Sequence, residues 1–551
     1  MMRMGRSSGR VKLAMVSFAA VYLAIGGRLV WLGIEPDPQV KERIDAEASL
    51  AMRRPVVMDR AGRQLATDIQ TSSIFAEPRN MIDADEAAEL LTRAMPGLDA
   101  DELHKRLNKD AGFVWIKREI TPTEQAAVHR LGIPGVGFLN EQRRIYPNGP
   151  IVSHSLGSVN VDNQGIAGFE QYLDRVGQVS KDGKGELKPV ELALDLNVQH
   201  AVRDELYKGL KEFDAIATSG IVMDVETGEI VAFVSVPDYD PNQPAEALKP
   251  NNINRLSVGV YEMGSTFKAL TLAMALDSGK VRLTDRFDAR SAMQYGRFRI
   301  DDFHPTRRIL SVPEVFIHSS NIGTAKIALA VGVEGHKAFL KKLGQLDRLR
   351  TELPESAMPI VPRNWGELNT VTISYGHGLS VTPLQTLMAT AALMNGGQMI
   401  PPTFLKRSKE DAAKLAKTVI RPETSAQMRY LFRLNGEKGS AKKADIPGYR
   451  VGGKTGTAEK VVNGRYSSDK VMNAFTAVFP MDAPRYAVLV MFDEPKGTKA
   501  THGFRTSGWN AAPVAGRIVS RVAPLLGLQP DFDAPPNLPP AQYAAALGDP
   551  H

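Results

Sequence analysis

Cysteine is absent from this chain of 551 residues. That excludes disulfides, thiolate catalysis and cysteine-ligated metals, and it is compatible with an oxidising exterior. Acidic residues are absent before Glu35, whereas Arg3, Arg6, Arg10 and Lys12 precede an apolar stretch. Leu13 to Gly27 is uncharged, and apolar character resumes after Arg28 through Ile34. Leu13–Ile34 is long enough to cross a bilayer as a helix, which takes about 20 residues. Arg28 lies near its far end, where the long side chain can snorkel to the interface beside Trp31. With no acids to balance the basic flank, residues 1–12 are expected in the cytoplasm and the bulk of the chain outside. A small-x-small cleavage site is also missing after the apolar core. An uncleaved anchor is therefore expected in place of a cleaved signal peptide. The net charge of +7 is mild for this length, and part of it lies in the tail that would face anionic lipid. It does not argue for nucleic-acid binding.

The chain is too long for one typical domain, and no internal repeat divides it. Residues 35–190 read as a first unit with short extended segments. Val56–Met58 runs into the turn-like Asp59-Arg-Ala-Gly62, a helix is expected near Asp83–Met95, and scattered strands are expected around Ile145–Val161. A Gly/Lys-rich turn, Lys181–Gly185, leads to a second unit over 191–528. There the pattern predicts an amphipathic helix over Asn197–Phe213 and a hairpin of Gly220–Asp224 with Glu229–Val234. Ala/Leu-rich helical runs such as Leu384–Leu393 alternate with strands such as Tyr486–Phe492. The fold class is α+β, an antiparallel sheet packed with helices. Residues 529–551, with prolines at 530, 535, 536, 539, 540 and 550, read as a mobile tail.

Three short motifs stand in order: Ser265-Thr-Phe-Lys268, Ser319-Ser320-Asn321 and Lys454-Thr455-Gly456-Thr457. Together they match the active-site set of enzymes that attack a peptide or β-lactam carbonyl with serine. S-x-x-K alone is weak, because a chain this long holds about two by chance. Ser440…Lys443 and Ser467…Lys470 are read as such accidents, as is the second S-x-N at Ser158…Asn160. K-T-G occurs once, where chance predicts roughly a tenth of an occurrence.

A serine hydroxyl is a poor nucleophile without a base in hydrogen-bond reach. A helix over 265–280 puts Ser265 and Lys268 on one face. Ser265 then follows Gly264 at the helix start, where backbone N–H groups can hold an oxyanion. Lys268 must lose its proton to act as base, and burial together with a neighbouring cation, Lys454, would favour that. Ser319 can relay a proton between Lys268 and the leaving group, and the Asn321 amide can hold a substrate carbonyl. The same residues can also cap a helix over Ile322–Val331, and the two uses are compatible. Val451–Thr457 reads as an edge strand whose glycines let a substrate backbone pair with it. Lys454, Thr455 and Thr457 there suit a carboxylate.

With these motifs in order the chain resembles the class B penicillin-binding proteins, most closely their septal, FtsI-type branch. The likeness extends along nearly the whole chain. Arg53-Arg54…Asp59-Arg60…Gly62 resembles the first signature of the family's pedestal domain, with Pro55 in place of the usual glycine. Arg143-Arg-Ile-Tyr-Pro147, Gly165-Ile-Ala-Gly-Phe-Glu170 and Tyr172…Asp174 resemble later ones. Leu192-Ala-Leu-Asp195…Gln199, Ser374–Gln385 and Asn395-Gly-Gly397 resemble landmarks of the transpeptidase domain. Tyr261-Glu-Met-Gly-Ser265 has Met263 where the family has proline, which should alter the turn without removing a chemical group. Ser-Ser-Asn, in place of the Ser-Cys-Asp of elongation-type relatives, favours the division branch.

The resemblance implies D,D-transpeptidation of peptidoglycan in the periplasm, from an anchor in the inner membrane. Ser265 would attack the penultimate D-Ala of a stem peptide, release the terminal D-Ala, and pass the acyl group to an amine on a neighbouring strand. Lys454, Thr455 and Thr457 would hold the donor carboxylate, and the N–H groups of Ser265 and Thr457 would form the oxyanion hole. β-Lactams would leave Ser265 acylated. An FtsW-type glycan polymerase and other division proteins are the implied partners, and neither metal nor cofactor is implied. His304, His377 and His502 are read as structural. Two rivals remain: a D,D-carboxypeptidase or β-lactamase with water as acceptor, and a non-catalytic envelope scaffold. An elongation-type transpeptidase is the nearest variant of the main reading.

Overall fold

The computed structural model describes residues 8–34, 52–533 and 537, apart from 182, 184, 185, 297 and 463. The expected tail over 529–551 falls mostly outside the described residues, as does much of the Lys181–Gly185 turn. Helix α1, Ser8–Ile34, carries the apolar segment Val11–Trp31, none of whose hydrophobic window is buried against the protein. The Arg28 guanidinium lies 3.9 Å from the centre of the Trp31 ring, an arrangement suited to an interface.

The first unit is built on β1 (Val57–Met58), β2 (Gln64–Ala76), β3 (Val114–Ile120), β4 (Val136–Ile145) and β5 (Val190–Glu191). β2 pairs antiparallel with β1, β3 and β4, and β1 joins β5 in parallel. The helix expected near Asp83–Met95 is Ala84–Ala94, capped by the Asp83 carboxylate. The scattered strands expected through Val161 stop at Ile145. Pro150 lacks the N–H that a ladder needs and its φ suits a helical start, so Gly149–Leu156 forms short helical turns.

Family-signature residues of this unit converge on one buried cluster around α2 (Gly168–Arg175). Glu170 accepts from Arg54 Nε and from Arg144 Nε, each at 2.7 Å, and all three side chains are fully buried. Arg54 also reaches Asp174 at 2.8 Å, and Arg144 reaches Asp68 at 3.0 Å. The cluster ties the chain before β1 to the end of β4 and to α2.

The second unit is a sheet in the order β8-β9-β10-β6-β7, antiparallel throughout. Its strands are β6 (Ala217–Asp224), β7 (Ile230–Val236), β8 (Gly452–Val462), β9 (Arg465–Phe479) and β10 (Tyr486–Asp493). The helices are α3 (Leu196–Glu212), α4 (Phe267–Asp277), α5 (Asn321–Val331), α6 (Pro383–Met394), α7 (Pro422–Lys438) and α8 (Ala511–Leu525). Val202 and Leu206 of α3 and Val514 and Ile518 of α8 pack with Phe475 and Val488 on one face. Helices α4, α6 and α7 cover the other, where Leu387 and Phe432 share a core with Ala474 and Leu489. With both faces covered, β6, β7 and β10 are buried at every position. That is why Ile221–Met223, Ile230–Val234 and Ala487–Phe492 read as continuous apolar runs and not as alternating ones. β8 is the sheet edge, as its glycines predict.

Candidate active site

A single 3-10 turn, Gly264–Thr266, runs directly into α4, so Ser265 stands at the helix start and Lys268 in its first α turn. Gly264 has φ +53°, and a Cβ there would sit 2.8 Å from the Thr457 carbonyl oxygen. Only glycine lets the β8 edge close on the serine turn.

Lys268 is 1% exposed. Its Nζ donates to the Ser319 carbonyl, to Ser319 Oγ at 3.0 Å and to Asn321 Oδ1 at 2.7 Å. Ser319 lies in the left-handed region at φ +53°, a conformation that costs a non-glycine residue about 1–3 kcal/mol. It turns both Ser319 oxygens toward one amine. The next residue, Ser320, caps α5 by accepting from Gly323 N–H and donates to the buried Asp302 carboxylate. Asn321 Nδ2 donates to the Asp301 carbonyl at 3.0 Å.

Lys454 is completely buried on β8. Its Nζ donates to Ser319 Oγ at 3.0 Å and to the Thr455 carbonyl at 3.1 Å. Ser319 Oγ thus accepts from two lysines, which occupies both lone pairs of the hydroxyl. When either lysine loses a proton, the bond can reverse and Ser319 can pass a proton between them. Burial, then the charge of Lys454, hold Lys268 well below the usual lysine range, and Asp302 opposes them. Burial lowers Lys454 to about 7. The shift of Lys268 favours the proton loss that makes it a base.

Lys268 directs its hydrogen bonds to Ser319 and Asn321, and among the described residues the Ser265 hydroxyl has no hydrogen-bond partner. The i,i+3 spacing nevertheless keeps the two on one helix face, and catalytic hydrogen bonds commonly tighten only when substrate is bound. Thr457 Oγ1 accepts from Ser507 N–H at 3.1 Å, which leaves its own hydrogen free to donate. Gly456 packs against the Met263 carbonyl, so the strand meets the nucleophile turn at two glycines. Met263 is buried, and its carbonyl accepts from Thr266 Oγ1 at 2.8 Å.

Ser440, read as part of an accidental S-x-x-K, has its Oγ 2.7 Å from Thr455 Oγ1 and so adjoins the K-T-G strand. Ser467…Lys470 lies on β9, across the break in register between the Glu459–Val471 and Lys460–Ser467 pairs, and not at a helix start. Ser158 is buried in the first unit. Sequence reasoning also missed Asp302 and Ser507, which meet the motifs only through the fold. His304 packs on Phe303 and His502 on Trp509. His377 lies against Tyr375 and Tyr466, and burial together with the charge of Lys268 lowers it to about 4. Among the described residues no group of three His, Cys, Asp or Glu side chains is arranged to hold a metal.

Comparisons with known proteins agree with this geometry. The family described as penicillin binding protein transpeptidase domain matches residues 218–519, and the penicillin-binding protein dimerisation domain matches 50–179. The chain is 41% identical over 482 residues to the probable peptidoglycan D,D-transpeptidase FtsI of Caulobacter vibrioides, covering 86% of this chain and 81% of the relative. It is 30% identical to the peptidoglycan D,D-transpeptidase FtsI of Escherichia coli K12, covering 92% and 90%. A crystal structure of penicillin binding protein 3 from Mycobacterium tuberculosis, complexed with aztreonam, shares the fold. Its TM-score is 0.67 at 21% identity, over 89% of this chain and 99% of that one. With a dimerisation domain leading into a transpeptidase domain, and with relatives matched along most of its length, the chain belongs to the class B penicillin-binding proteins.

Proposed function

We propose that this protein is a serine D,D-transpeptidase that cross-links peptidoglycan stem peptides during division, and that β-lactams acylate it. The observation that carries the reading is Ser319 Oγ held between Lys268 and Lys454 beside the Ser265 turn. Neutral Lys268 takes the Ser265 proton while Oγ bonds to the carbonyl carbon of the penultimate D-Ala. The N–H groups of Ser265 and Thr457 hold the oxyanion, which needs fixed donors where negative charge develops. The proton passes through Ser319 to the departing nitrogen as the peptide C–N bond breaks, and D-Ala leaves as an amine. The Thr455, Thr457 and Ser440 hydroxyls, with Lys454, suit the donor carboxylate. Asn321 is assigned to the donor backbone, and Gly456 leaves room for it along β8. An amine of a second strand then attacks the acyl carbon and restores Ser265. A carboxypeptidase would differ only in using water, and the dimerisation-type unit below the catalytic domain favours work on an extended polymer.

The anchor reading belongs to the same proposal. The basic residues before Leu13 support a cytoplasmic N-terminus, an inner-membrane span and a periplasmic catalytic domain. An FtsW-type polymerase and other division proteins would then be partners of the first unit and the span. The test is chemical. After treatment with a fluorescent penicillin, mass spectrometry should find the adduct on the peptide that contains Ser265. An adduct on Ser440 or Ser467 would overturn the assignment.

A further inference from the structure

Glu262 lies three residues before Ser265 and is partly exposed. Its carboxylate accepts from Gly378 N–H at 2.9 Å and from the Tyr466 hydroxyl at 2.9 and 3.2 Å. Among the described residues no Lys, Arg or His pairs with it. The Tyr375–Gly378 segment is tied to the nucleophile turn, because Gly264 N–H donates to the Gly376 carbonyl at 3.2 Å. In that segment the His377 ring lies 5.8 Å from the Tyr466 ring and 5.5 Å from the Tyr375 ring. The Nδ1 atom of His377 is buried and has no hydrogen-bond partner among the described residues. An unpaired carboxylate and an unused imidazole nitrogen thus stand together beside the nucleophile, and none of the steps derived above uses them.

The chemistry of the second half-reaction calls for such a group. An alkyl amine is an ammonium ion at neutral pH, since its ordinary pKa is near 10. It must approach a site that already holds two buried lysines, and whatever positive charge they carry repels it. A fixed carboxylate at the mouth offsets that repulsion and orients the nitrogen. Burial also raises the proton affinity of Glu262, which suits a group that meets a proton-bearing nitrogen. Resting on the transpeptidase reading, we propose that the Glu262 carboxylate is the subsite that receives the cationic amine of the acceptor strand. On docking, the ammonium gives one proton to solvent. The nitrogen then bonds to the acyl carbon, the bond from that carbon to Ser265 Oγ breaks, and a second nitrogen proton ends on Oγ.

The test uses the full-length protein in detergent with an acyl-D-alanyl thioester as donor. Two acceptors compete with water: Nα-acetyl-lysinamide, whose single charge is its side-chain ammonium, and methanol, which is neutral. Partition ratios are read from one acyl-enzyme and so do not depend on how fast it forms. Glu262→Gln should lower the ratio of aminolysis to hydrolysis at least tenfold, while the ratio of methanolysis to hydrolysis moves less than threefold. Tyr466→Phe, which removes the tyrosine contact but keeps the carboxylate, should hold the aminolysis ratio within threefold. An aminolysis ratio within twofold of wild type in Glu262→Gln would overturn the subsite. So would a parallel fall of both ratios, or an equal loss in Tyr466→Phe, since each would mean a structural role. If the wild-type protein forms no acyl-enzyme at Ser265, it is the transpeptidase reading itself that fails.

Discussion

Two clusters of buried charged residues, one in each unit, behave in opposite ways. In the first unit, Arg54 and Arg144 close on Glu170 with Asp68 and Asp174 at the rim, so each buried charge faces its opposite. The carboxyl of Glu170 is held below its ordinary value by the two guanidinium groups, which prevail over burial. In the catalytic unit Lys268 and Lys454 share one hydroxyl, and Asp302, the carboxylate whose charge acts on Lys268, bonds to Ser320 and to Ile322 N–H. Both lysines are pushed toward neutrality. A balanced cluster keeps its protons where they are and holds a joint together. An unbalanced one is ready to move a proton, which is what acyl transfer requires.

The sharpest way to break this contrast is at Lys268. Lys268→Arg should cut penicillin acylation by at least about a thousandfold, because arginine stays protonated and cannot take the serine proton. Lys454→Arg keeps the charge and should leave measurable acylation, perturbed by the larger head group. Equal rates for wild type and Lys268→Arg in a stopped-flow acylation assay would move the base elsewhere.

The balanced cluster should fail in stability and not in chemistry. Glu170→Gln leaves two buried guanidinium groups short of their counter-charge, a loss of about 3–5 kcal/mol for a broken buried pair. Denaturant unfolding followed through the tryptophans would measure it. A loss below 1 kcal/mol would mean that the cluster is not a structural joint.

The two clusters should also leave opposite marks on stability against pH. Glu170 has a folded pKa below its unfolded value near 4.5, so its contribution is present above that value and is lost as pH falls through the folded one. Lys454 has a folded pKa of about 7 against 10.5 when unfolded. Between those values the unfolded chain binds more protons, so stability should rise with pH there. Melts of Lys454→Met should lose the alkaline rise, and melts of Glu170→Gln should lose part of the acid fall. The reverse pattern would contradict the assignment. The smallest expected effect is at the turn: Met263→Pro restores the family residue at a backbone φ of −84°, close to what proline requires. Acylation should change less than threefold.

These clusters also mark what the sequence made legible. Lys268 and Lys454 could be read because each belongs to a short motif with its own spacing, whereas the close approach of β8 to the Ser265 turn, at Gly264 and Gly456, emerges only in the fold. Elements with a strong local signal, such as the β6–β7 hairpin and helices α3 and α6, follow their predicted spans closely. The buried cluster around Glu170 was visible only as family signature. Charged residues are ordinarily read as surface, and nothing local says that Arg54, Arg144 and Glu170 meet. Ser440 shows the same limit from the other side. Its S-x-x-K spacing is accidental, yet the turn after α7 sets its hydroxyl beside Thr455. Asp302 and Ser507 likewise join the site from loops, where no periodicity points to a partner.

The strand order of the second unit has a consequence for how the protein is made. β10 pairs with β6 along its whole length, Tyr486 opposite Asp224 and Asp493 opposite Ala217, so the centre of the sheet is closed by segments from the two ends of the domain. The nucleophile helix and the Ser319 turn lie in the stretch between them. Contacts of such long sequence separation form late, since the intervening chain must be ordered before they can repay its entropy. On the proposed topology, Ser265 would emerge from the membrane long before the strand that brings Lys454 to it. Export intermediates that stop short of residue 493 should therefore carry the whole S-x-x-K motif and still be blind to penicillin. On that reading the activity would switch on only when the last strand of the sheet has arrived.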